Sequence, residues 1–490
     1  MSLHIEKNNR EVFWDYHLVD ESKTTAVLTM NKPIKRELVC TLDKPWEGDS
    51  SIYFNIVETD EGYRMYYLGI MAVHNGVEKP FNACFMESKD GITWHRPELN
   101  VCEFEGNTKN NIILKQSKEH QLDNFFVFKD ENPACLPEER FKALSHFERE
   151  GKPFPDNREL WCYTSPDGIH FKKAWMMTDG SVPNGGIFDS LNVAYWDKRK
   201  KKYVAYVRGL HKGPGAGTAG GLRDIRYMES DDFKNWSNPV ILRYGEKDDY
   251  ELYTNNVIPY YRAPHIAVGF PTRYTEKHRW LKNFDQMCEG NIKKRKEHFE
   301  TLPRLAWALT DGLFMSSRNG LDWHRFDEAM FTPETEHTFN WIYGDCYPAY
   351  GMIETPREYP HITNEISMFM KEGHRGTDPA RLYRYTIRLD GFASFRAVYE
   401  EKNIVTKPFT FTGEKMELNF RTSAKGYIIV DVLDDCGRPL DGFSSYEIFG
   451  DALDRPVLFQ DGAELKNLEG KTIMLRFTMS DADVYSFVIK

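Results

Sequence analysis

Apolar and polar residues alternate in short runs along this chain of 490 residues, with the period of two that is typical of β-strands. The clearest runs combine aromatic and β-branched residues, and they lie at 63–69, 140–144, 203–209, 265–270 and 366–370. Glycine, proline and asparagine bound most of these runs. The pattern predicts an all-β protein built from many short strands.

After each run comes one copy of a turn sequence, in which Ser or an equivalent precedes Asp-Gly, Asn-Gly or a variant, followed by an aromatic residue. The copies lie at 87–94, 164–171, 229–236, 316–323 and 388–394, the last being degenerate. Their Asp or Asn residues at 90, 167, 232, 319 and 390 are separated by 77, 65, 87 and 71 residues. Such dipeptides predict hairpins, because both residues of a tight turn accept positive φ there.

The near-constant interval predicts a circular repeat fold. Four-stranded propeller repeats commonly span ~40 to 50 residues, so each unit here should hold a four-stranded sheet and a sizeable loop. We predict a five-bladed β-propeller over residues 43–402, preceded by a lead-in with an edge strand over 1–42. The charged segment 277–300 is predicted to form one or two helices inserted in blade 4, as a blade cap, a rim over the channel or a subunit contact.

Beyond residue 402 the alternation becomes cleaner, with one solvated face and a turn every 8 to 12 residues. This predicts a second domain, a β-sandwich over residues 403–490.

Charge and composition narrow the ligand class. The net charge of −10 and pI near 5.9 disfavour nucleic acid and anionic membranes as partners, and suit a neutral ligand. No apolar run approaches the ~20 residues of a membrane span, and the start lacks an apolar secretory core. The eight cysteines show no CxxC spacing, which indicates free thiols in a reducing compartment rather than disulfides or a zinc site. We therefore expect a cytoplasmic protein, and the oligomeric state stays open.

The common sequence motifs of nucleotide-binding proteins and hydrolases do not indicate a function for this chain. It contains no GxxxxGK[ST], GxSxG or HExxH sequence. Residues 215–220 spell GxGxxG, but a strand follows where a dinucleotide site needs a helix, so a flexible loop is predicted. No cofactor is expected, although a structural cation in the central channel stays open.

Carboxylates mark the expected site. The innermost strand of each propeller blade lines the channel, and all five segments that lead into the blades carry a carboxylate; the ones selected are Glu47, Asp123, Asp189, Glu251 and Asp345. A carboxylate among aromatic residues is costly unless it is paired or hydrogen-bonded, so five converging on one axis indicate a site, though some could cap turns within blades. Glycoside hydrolysis needs two such groups, one to protonate the leaving oxygen and one to attack or activate water.

We therefore predict an exo-acting glycosidase with Glu47, Asp123 and Asp189 as catalytic residues, and with Glu251 and Asp345 shaping the pocket. Neighbouring aromatic, amide and basic residues are predicted to bind the sugar: Trp46, Asn124, Arg208, Tyr253, Asn255, Arg273, Tyr343 and His374. The competing hypothesis is a non-catalytic carbohydrate-binding or scaffold propeller whose acids hold a cation or sugar hydroxyls.

Four segments, 43–48, 128–143, 252–262 and 384–392, carry a resemblance to five-bladed propeller glycoside hydrolases of families 32 and 43, especially relatives with sialidase-like turn repeats. The resemblance spans nearly the whole chain, including the appended sandwich. The family 32 runs Asn-Asp-Pro-Asn-Gly, Arg-Asp-Pro and Glu-Cys are absent from the matching places. Carried over by blade position, the resemblance implies that Glu47 is the nucleophile, Asp123 the stabilising acid and Asp189 the general acid.

Overall fold

The computed structural model describes residues 3–71, 81–213, 221–357, 363–375 and 379–490, which form a nearly all-β chain. They divide into two compact units. Unit 2 comprises 33–259 and 265–386, and unit 1 comprises the N-terminal residues to 32, the short segment 260–264 and residues 387–490. The predicted boundaries at 42 and 402 differ from this division by ten residues or more.

Unit 2 is a five-bladed β-propeller, as predicted. Each blade is a four-stranded sheet, and the first four blades use consecutive stretches of chain. Their strands are β5 (Ile52–Thr59), β6 (Gly62–Gly69), β7 (Asn82–Ser88) and β8 (Ile112–Lys115) in blade 1; β9 (Phe126–Lys129), β10 (Phe141–Glu148), β11 (Arg158–Ser165) and β12 (Lys172–Asp179) in blade 2; β13 (Val193–Asp197), β14 (Lys202–His211), β15 (Leu222–Ser230) and β16 (Val240–Ile241) in blade 3; and β17 (Ile258–Tyr260), β18 (Ala263–Gly269), β21 (Met315–Ser317) and β22 (His324–Arg325) in blade 4.

Blade 5 closes the ring with strands from two distant parts of the chain. It contains β23 (Ile353–Pro356), β24 (Asn364–Glu372) and β25 (Arg381–Arg388), and its outer strand is β4 (Ile34–Thr41), which pairs antiparallel with β25. The segment predicted to be a lead-in therefore supplies the last strand of the propeller. A boundary at residue 42 would separate β4 from the sheet that it completes.

The repeated turn follows the third strand of each blade. In its first four copies the hydroxyl of Ser88, Ser165, Ser230 or Ser317 accepts a hydrogen bond at 2.9 Å from the backbone N–H three residues later. The Asp or Asn side chain accepts two more N–H groups at 2.7 to 2.9 Å. Positive φ occurs at the residue after this Asp or Asn, so the turn is held by side chains rather than by two left-handed residues.

These turns also dock each blade on the blade before it. The Tyr66 hydroxyl of blade 1 donates to the Gly168 carbonyl at 2.9 Å, and the Tyr206 hydroxyl of blade 3 donates to the Gly320 carbonyl at 3.1 Å. A Cβ on Gly91 would lie 2.8 Å from the Ile353 side chain of blade 5. The turn sequence is therefore a joint between blades as well as a bend within one.

Asparagine side chains join neighbouring blades near their inner strands. Asn55 donates to the Val127 carbonyl at 2.6 Å, linking blades 1 and 2, and Asn124 donates to the Phe188 carbonyl at 2.8 Å, linking blade 2 to blade 3. Because these amides are buried, each hydrogen bond satisfies a backbone carbonyl that water cannot reach.

Blade 4 contains a helical insertion as predicted, but its helices begin later than residue 277 and extend beyond residue 300. It comprises α1 (Glu289–Thr301) and α2 (Pro303–Trp307), and it lies within a hairpin formed by β19 (Thr272–Glu276) and β20 (Ala308–Gly312). Proline at the first position of α2 suits a helix start, where its missing N–H costs nothing. Short 3-10 helices occur at Glu21–Lys23, Pro137–Glu139, Lys282–Gln286, Gln460–Gly462 and Leu465–Leu468.

Unit 1 is dominated by one eight-stranded sheet around two long strands, β29 (Met416–Leu433) and β32 (Met474–Ile489). Its other strands are β2 (Arg10–Val12), β3 (Val27–Met30), β26 (Ala393–Ala397), β27 (Lys402–Val405), β30 (Pro439–Ser444) and β31 (Asp451–Pro456). A parallel pair, β1 (Leu3–Ile5) with β28 (Phe409–Phe411), completes the unit. The β-sandwich stays a prediction.

Buried Asp390, in the degenerate fifth turn, connects the segments of unit 1. Its Oδ1 accepts hydrogen bonds from the Tyr260 hydroxyl at 2.6 Å and Arg262 Nε at 2.9 Å. Its Oδ2 accepts from the Ser486 hydroxyl at 2.7 Å and lies 3.3 Å from Arg10 Nη1. One carboxylate thus ties together four stretches that are far apart in sequence.

In the part of the chain that is described, no helix is both long and apolar enough to cross a bilayer. The GxGxxG segment at 215–220 lies outside the described residues.

Candidate functional site

The candidate site lies where the chain enters the inner strand of each blade. Asp49, Asp123, Asp189, Tyr253 and Tyr347 each precede an inner strand by a few residues, in blades 1 to 5 respectively. Because propeller blades are arranged around one axis, these equivalent positions face the same end of the channel. We call this end the mouth.

Four tyrosines are packed together at the mouth. Tyr253 stacks on Tyr347 with ring centroids 5.4 Å apart, and the Tyr343 hydroxyl donates to the Tyr253 hydroxyl at 2.8 Å. Burial raises the pKa of Tyr53, Tyr253 and Tyr347, and Asp123 contributes to the rise at Tyr53. The tyrosines therefore stay neutral and present aromatic faces and hydroxyl groups.

Asp123 is held by a side-chain relay on blade 2. His146 Nδ1 lies 3.0 Å from Asp123 Oδ2, and Arg158 Nη1 lies 3.3 Å from His146 Nε2. Because arginine can only donate, Nε2 accepts and the ring proton is on Nδ1, where it donates to Asp123. His146 is 1% exposed, whereas the Asp123 side chain is 44% exposed. The relay thus fixes a carboxylate that solvent can reach.

Asp189 is the corresponding carboxylate of blade 3. Its side chain is 38% exposed, and its Oδ1 lies 3.7 Å from Arg208 Nη2. That separation is an ion pair without a hydrogen bond. Arg208 is buried, and its Nη1 donates to the Tyr253 carbonyl at 2.8 Å. The structure therefore places Asp189, Arg208 and Tyr253 together.

Glu251 and Arg223 form an ion pair beside this group. Arg223 Nη1 donates to Glu251 Oε2, and the Arg223 guanidinium carbon lies 4.5 Å from the centroid of the Tyr274 ring. The Arg304 guanidinium carbon of α2 lies 5.7 Å from the Tyr343 ring centroid. Cations from blade 3 and from the helical insertion thus meet at the tyrosine cluster.

Behind the mouth lies a buried titratable cluster centred on blade 5. Burial raises the pKa of Asp345 to about 7 and lowers the pKa of Lys371 to about 7. Lys371 Nζ is hydrogen-bonded to His374 Nδ1, and burial lowers the pKa of His374. His374 also packs on the Tyr343 ring at 5.6 Å. Asp345 and His374 therefore support the mouth from below, and both are almost fully buried.

Glu47 lies elsewhere, inside blade 1. It is fully buried, with Oε1 accepting from Arg96 Nε at 2.7 Å and Oε2 accepting from Arg96 Nη2 at 2.9 Å. The Tyr67 hydroxyl also donates to Oε1. These contacts are those of a structural ion pair, so we leave Glu47 out of the catalytic set proposed below. Asp49, two residues later, occupies the position equivalent to Asp123 and Asp189.

Several predicted sugar-binding residues have structural partners instead. Trp46 donates from Nε1 to Asn111 Oδ1 at 2.7 Å and packs edge-on against Phe104 within blade 1. Asn255 is buried and donates to the Leu191 carbonyl at 3.1 Å.

Arg273 lies on β19, where its Nε and Nη2 donate to the Asp311 carboxylate at 2.9 and 2.5 Å. Asn124 makes the blade link described above. For Trp46, Asn255 and Arg273 these contacts account for the side chain without a ligand, whereas the buried Oδ1 of Asn124 accepts no hydrogen bond from any described group.

Comparison with known proteins gives similarity of structure alone. No protein-family model and no curated protein matches the chain. Among solved structures, one described as a glycoside hydrolase has a TM-score of 0.46 at 10% identity over 74% of this chain and 93% of its own. A GH130 structure, from a family of mannoside phosphorylases containing glycoside hydrolases that target β-1,2 mannosidic linkages in Candida mannan, has a TM-score of 0.44 at 12% identity over 72% and 94%.

The Bombyx mori GH32 β-fructofuranosidase BmSUC1 has a TM-score of 0.39 at 9% identity over 94% of both chains. These three solved structures, to which the chain is similar, are described as glycoside hydrolases. At these identities and TM-scores the similarity does not define a reaction or a sugar, so the proposals below rest on the residues of the mouth.

Sequence reasoning missed Asp49, Tyr53, His146, Arg304 and Lys371. Lys371 carries a weak signal, because it directly follows the apolar run 368–370 near the end of β24. Nothing in the sequence around Arg304 or His146 connects them to the mouth, since their partners lie on other elements.

The described residues include one close group of at least three metal-ligating side chains, Asp434, Asp435 and Cys436, on a turn of unit 1. It lies on no blade of the propeller. A cation in the central channel stays a prediction.

Proposed function

We propose that the protein is a glycoside hydrolase that cleaves a terminal sugar at the mouth of its propeller by a two-carboxylate mechanism. The observation that supports this most directly is the pair Asp123 and Asp189. They occupy equivalent positions in adjacent blades, their side chains are 44% and 38% exposed, and each has a buried hydrogen-bond donor residue beside it, His146 or Arg208. A carboxylate needed only for folding would gain from being enclosed by its partners, as Glu47 is.

In this mechanism the two acids differ in role because their neighbours differ. The Asp123 carboxylate accepts a hydrogen bond from His146. This contact suits a carboxylate that attacks the anomeric carbon or activates a water. Asp189 lies near Arg208 without a hydrogen bond, and its Oδ1 makes none to any described group. We assign Asp189 to protonate the leaving oxygen. The tyrosines supply faces for sugar C–H groups and hydroxyls for sugar oxygens.

The test compares aryl glycosides whose leaving groups differ in their need for a proton. Asp189→Asn should lower the rate about 10²- to 10⁴-fold for a phenyl or alkyl glycoside, whose basic leaving group needs a proton. It should have far less effect on a 2,4-dinitrophenyl glycoside, whose phenolate leaves unprotonated. Asp123→Asn should slow both substrates alike.

Asp60→Asn is the matched control, since its side chain is 98% exposed on the turn between β5 and β6, at the opposite end of β5 from the mouth. It should keep the wild-type rate on both substrates. Full activity in both mouth variants would refute the assignment. If the wild type hydrolyses no member of a broad panel but loses sugar affinity on either substitution, the protein is a carbohydrate-binding propeller instead.

A further inference from the structure

Three arginines surround the tyrosine pair Tyr253 and Tyr343. The guanidinium carbons of Arg208 and Arg223 lie 4.8 and 5.0 Å from the Tyr253 ring centroid. Arg304 reaches the Tyr343 ring, and the two tyrosine hydroxyls are hydrogen-bonded to each other. The three cations therefore share one aromatic floor, although they come from two adjacent strands and an inserted helix.

Carboxylates do not fully balance these cations. Arg223 is paired with Glu251, and Arg208 has Asp189 at 3.7 Å. Within the described ranges, Arg304 has no carboxylate within ion-pair distance. The cluster thus carries more positive charge than its neighbours neutralise, in a protein whose net charge is −10.

Two of the arginines also keep unused hydrogen-bond donors. Arg208 and Arg223 are 3% and 5% exposed, and the Nε–H group of each is buried with no acceptor among the described residues. A buried donor without an acceptor costs about 1 to 3 kcal/mol. These two unpaired donors lie beside Tyr253. The free energy that they cost is recovered when a ligand supplies an acceptor there.

We propose that the mouth recognises a sugar that carries a carboxylate group, such as a uronic acid. Arginine presents its donors as a planar fork that matches the two oxygens of a carboxylate, and such pairs are stronger when water is excluded. This inference rests on the proposed function for the site and names its substrate class. It departs from the neutral ligand that the overall charge suggested, because recognition depends on the local charge of the mouth.

A bound carboxylate would also compete with Asp189 for Arg208. The existing Arg208–Asp189 contact is too long for a hydrogen bond, so the arginine can turn its donors to the ligand without breaking one at Asp189. The substrate would thereby release the group assigned as the acid.

The test measures binding of sugars that differ only at C6. Glucuronate is compared with glucose, and galacturonate with galactose, by titration calorimetry on the full chain. We expect the acid of at least one pair to bind about tenfold tighter or more, a difference of about 1.4 kcal/mol. The preference should weaken as salt is raised from about 50 to about 500 mM, because ionic contacts at the opening are screened.

Arg304→Gln should remove most of that preference, measured as the ratio of the two affinities in the same variant, and Arg304→Lys should keep part of it. Arg243→Gln is the matched control, since Arg243 is an exposed arginine paired with Asp322 at the outside of the propeller. It should bind like the wild type. Melting curves identify any variant that fails to fold, and Arg304→Lys then decides.

Equal affinity for acidic and neutral sugars, no binding of either, or a preference that survives Arg304→Gln would overturn the inference. Hydrolysis separates it from the proposed function. Cleavage of methylumbelliferyl glucosides but not glucuronides retains the hydrolase and refutes the acidic substrate. Tight binding of glucuronate without cleavage of any glycoside does the reverse.

Discussion

At the scale of single residues, burial brings the pKa values of Asp345 and Lys371, behind the mouth, to near neutral pH. Burial favours the neutral form of each, so the pKa of the carboxyl rises to about 7 and the pKa of the ammonium falls to about 7. Asp345 Oδ2 accepts the Ile342 N–H at 2.8 Å, and its Oδ1 has no hydrogen-bond partner among described groups. The two side chains therefore make stability depend on pH in opposite directions and in different windows.

Asp345→Asn should reduce the change of stability with pH on the acid side of neutrality. Between about pH 4 and pH 7 folded Asp345 keeps a proton that the unfolded chain has released, so stability falls as pH rises through this window. Asparagine has no proton to release and keeps the acceptor for Ile342. Relative to wild type, the variant should gain a few kcal/mol across the window, since each pKa unit is worth about 1.4 kcal/mol.

The measurement is the free energy of unfolding of unit 2 in urea from pH 4.5 to 8. Asp60→Asn, on the turn between β5 and β6, should show the same free energy of unfolding as the wild type at every pH. Parallel curves for Asp345→Asn and wild type would contradict the buried neutral carboxyl.

At the scale of the element, the turn sequence combines a bend and a blade joint in one glycine. Gly168 has φ +74°, and a Cβ there would lie 2.5 Å from the Tyr66 hydroxyl of the preceding blade. Gly106 has φ +83° but would meet nothing within 4 Å. The two glycines therefore share backbone strain and differ in packing.

Substituting alanine at each position separates these two contributions. Gly106→Ala should cost about 1 kcal/mol, the strain of a left-handed alanine. Gly168→Ala should cost about 2 to 4 kcal/mol, because overpacking at the joint adds to the strain. Thermal and urea unfolding measure the stability of both variants. Equal losses of stability would mean that the contact between blades adjusts to the added methyl group without cost.

The first four turns could be predicted because their hydrogen bonds connect residues two or three positions apart. The degenerate copy at 388–394 was recognisable by its Asp-Gly, but its partners are distant. Its Asp390 binds Tyr260, Arg262 and Ser486, so it belongs to unit 1 rather than to a blade hairpin.

At the scale of the whole molecule, both units depend on segments that are remote in sequence. Blade 5 is completed by β4, and unit 1 is assembled around Asp390. Such arrangements leave no single stretch of chain able to form either unit alone. Removing a carboxylate that accepts several buried hydrogen bonds between such segments should therefore lower the stability of the unit strongly.

Asp390→Asn should destabilise unit 1 by about 3 to 5 kcal/mol, since Arg262 and Arg10, both largely buried, would lose the buried one of their two carboxylate partners. Asp454→Asn is the matched control. Asp454 contacts the same two arginines, but its side chain is 41% exposed, so its loss should cost about 1 kcal/mol or less. The midpoint of urea unfolding, monitored in unit 1, measures both, and equal effects would contradict the importance of burial.

The sequence by itself determined the strands, the turns and the number of blades. Alternation and the Ser-Asp-Gly spacing act over a few residues, so they can be recognised wherever the chain goes. It also indicated the segments that lead into the inner strands, and thereby Asp123, Asp189, Arg208, Tyr253 and Tyr343.

Only the tertiary structure decided which charged groups meet. Glu47 pairs with Arg96, and Asp123 accepts a hydrogen bond from His146. Arg304 lies with two arginines of another blade against one pair of tyrosines. Whether a carboxylate is enclosed or exposed depends on neighbours from other strands, whose distance in space is unrelated to their separation along the chain. The chemistry of the mouth is therefore a property of the closed ring of blades.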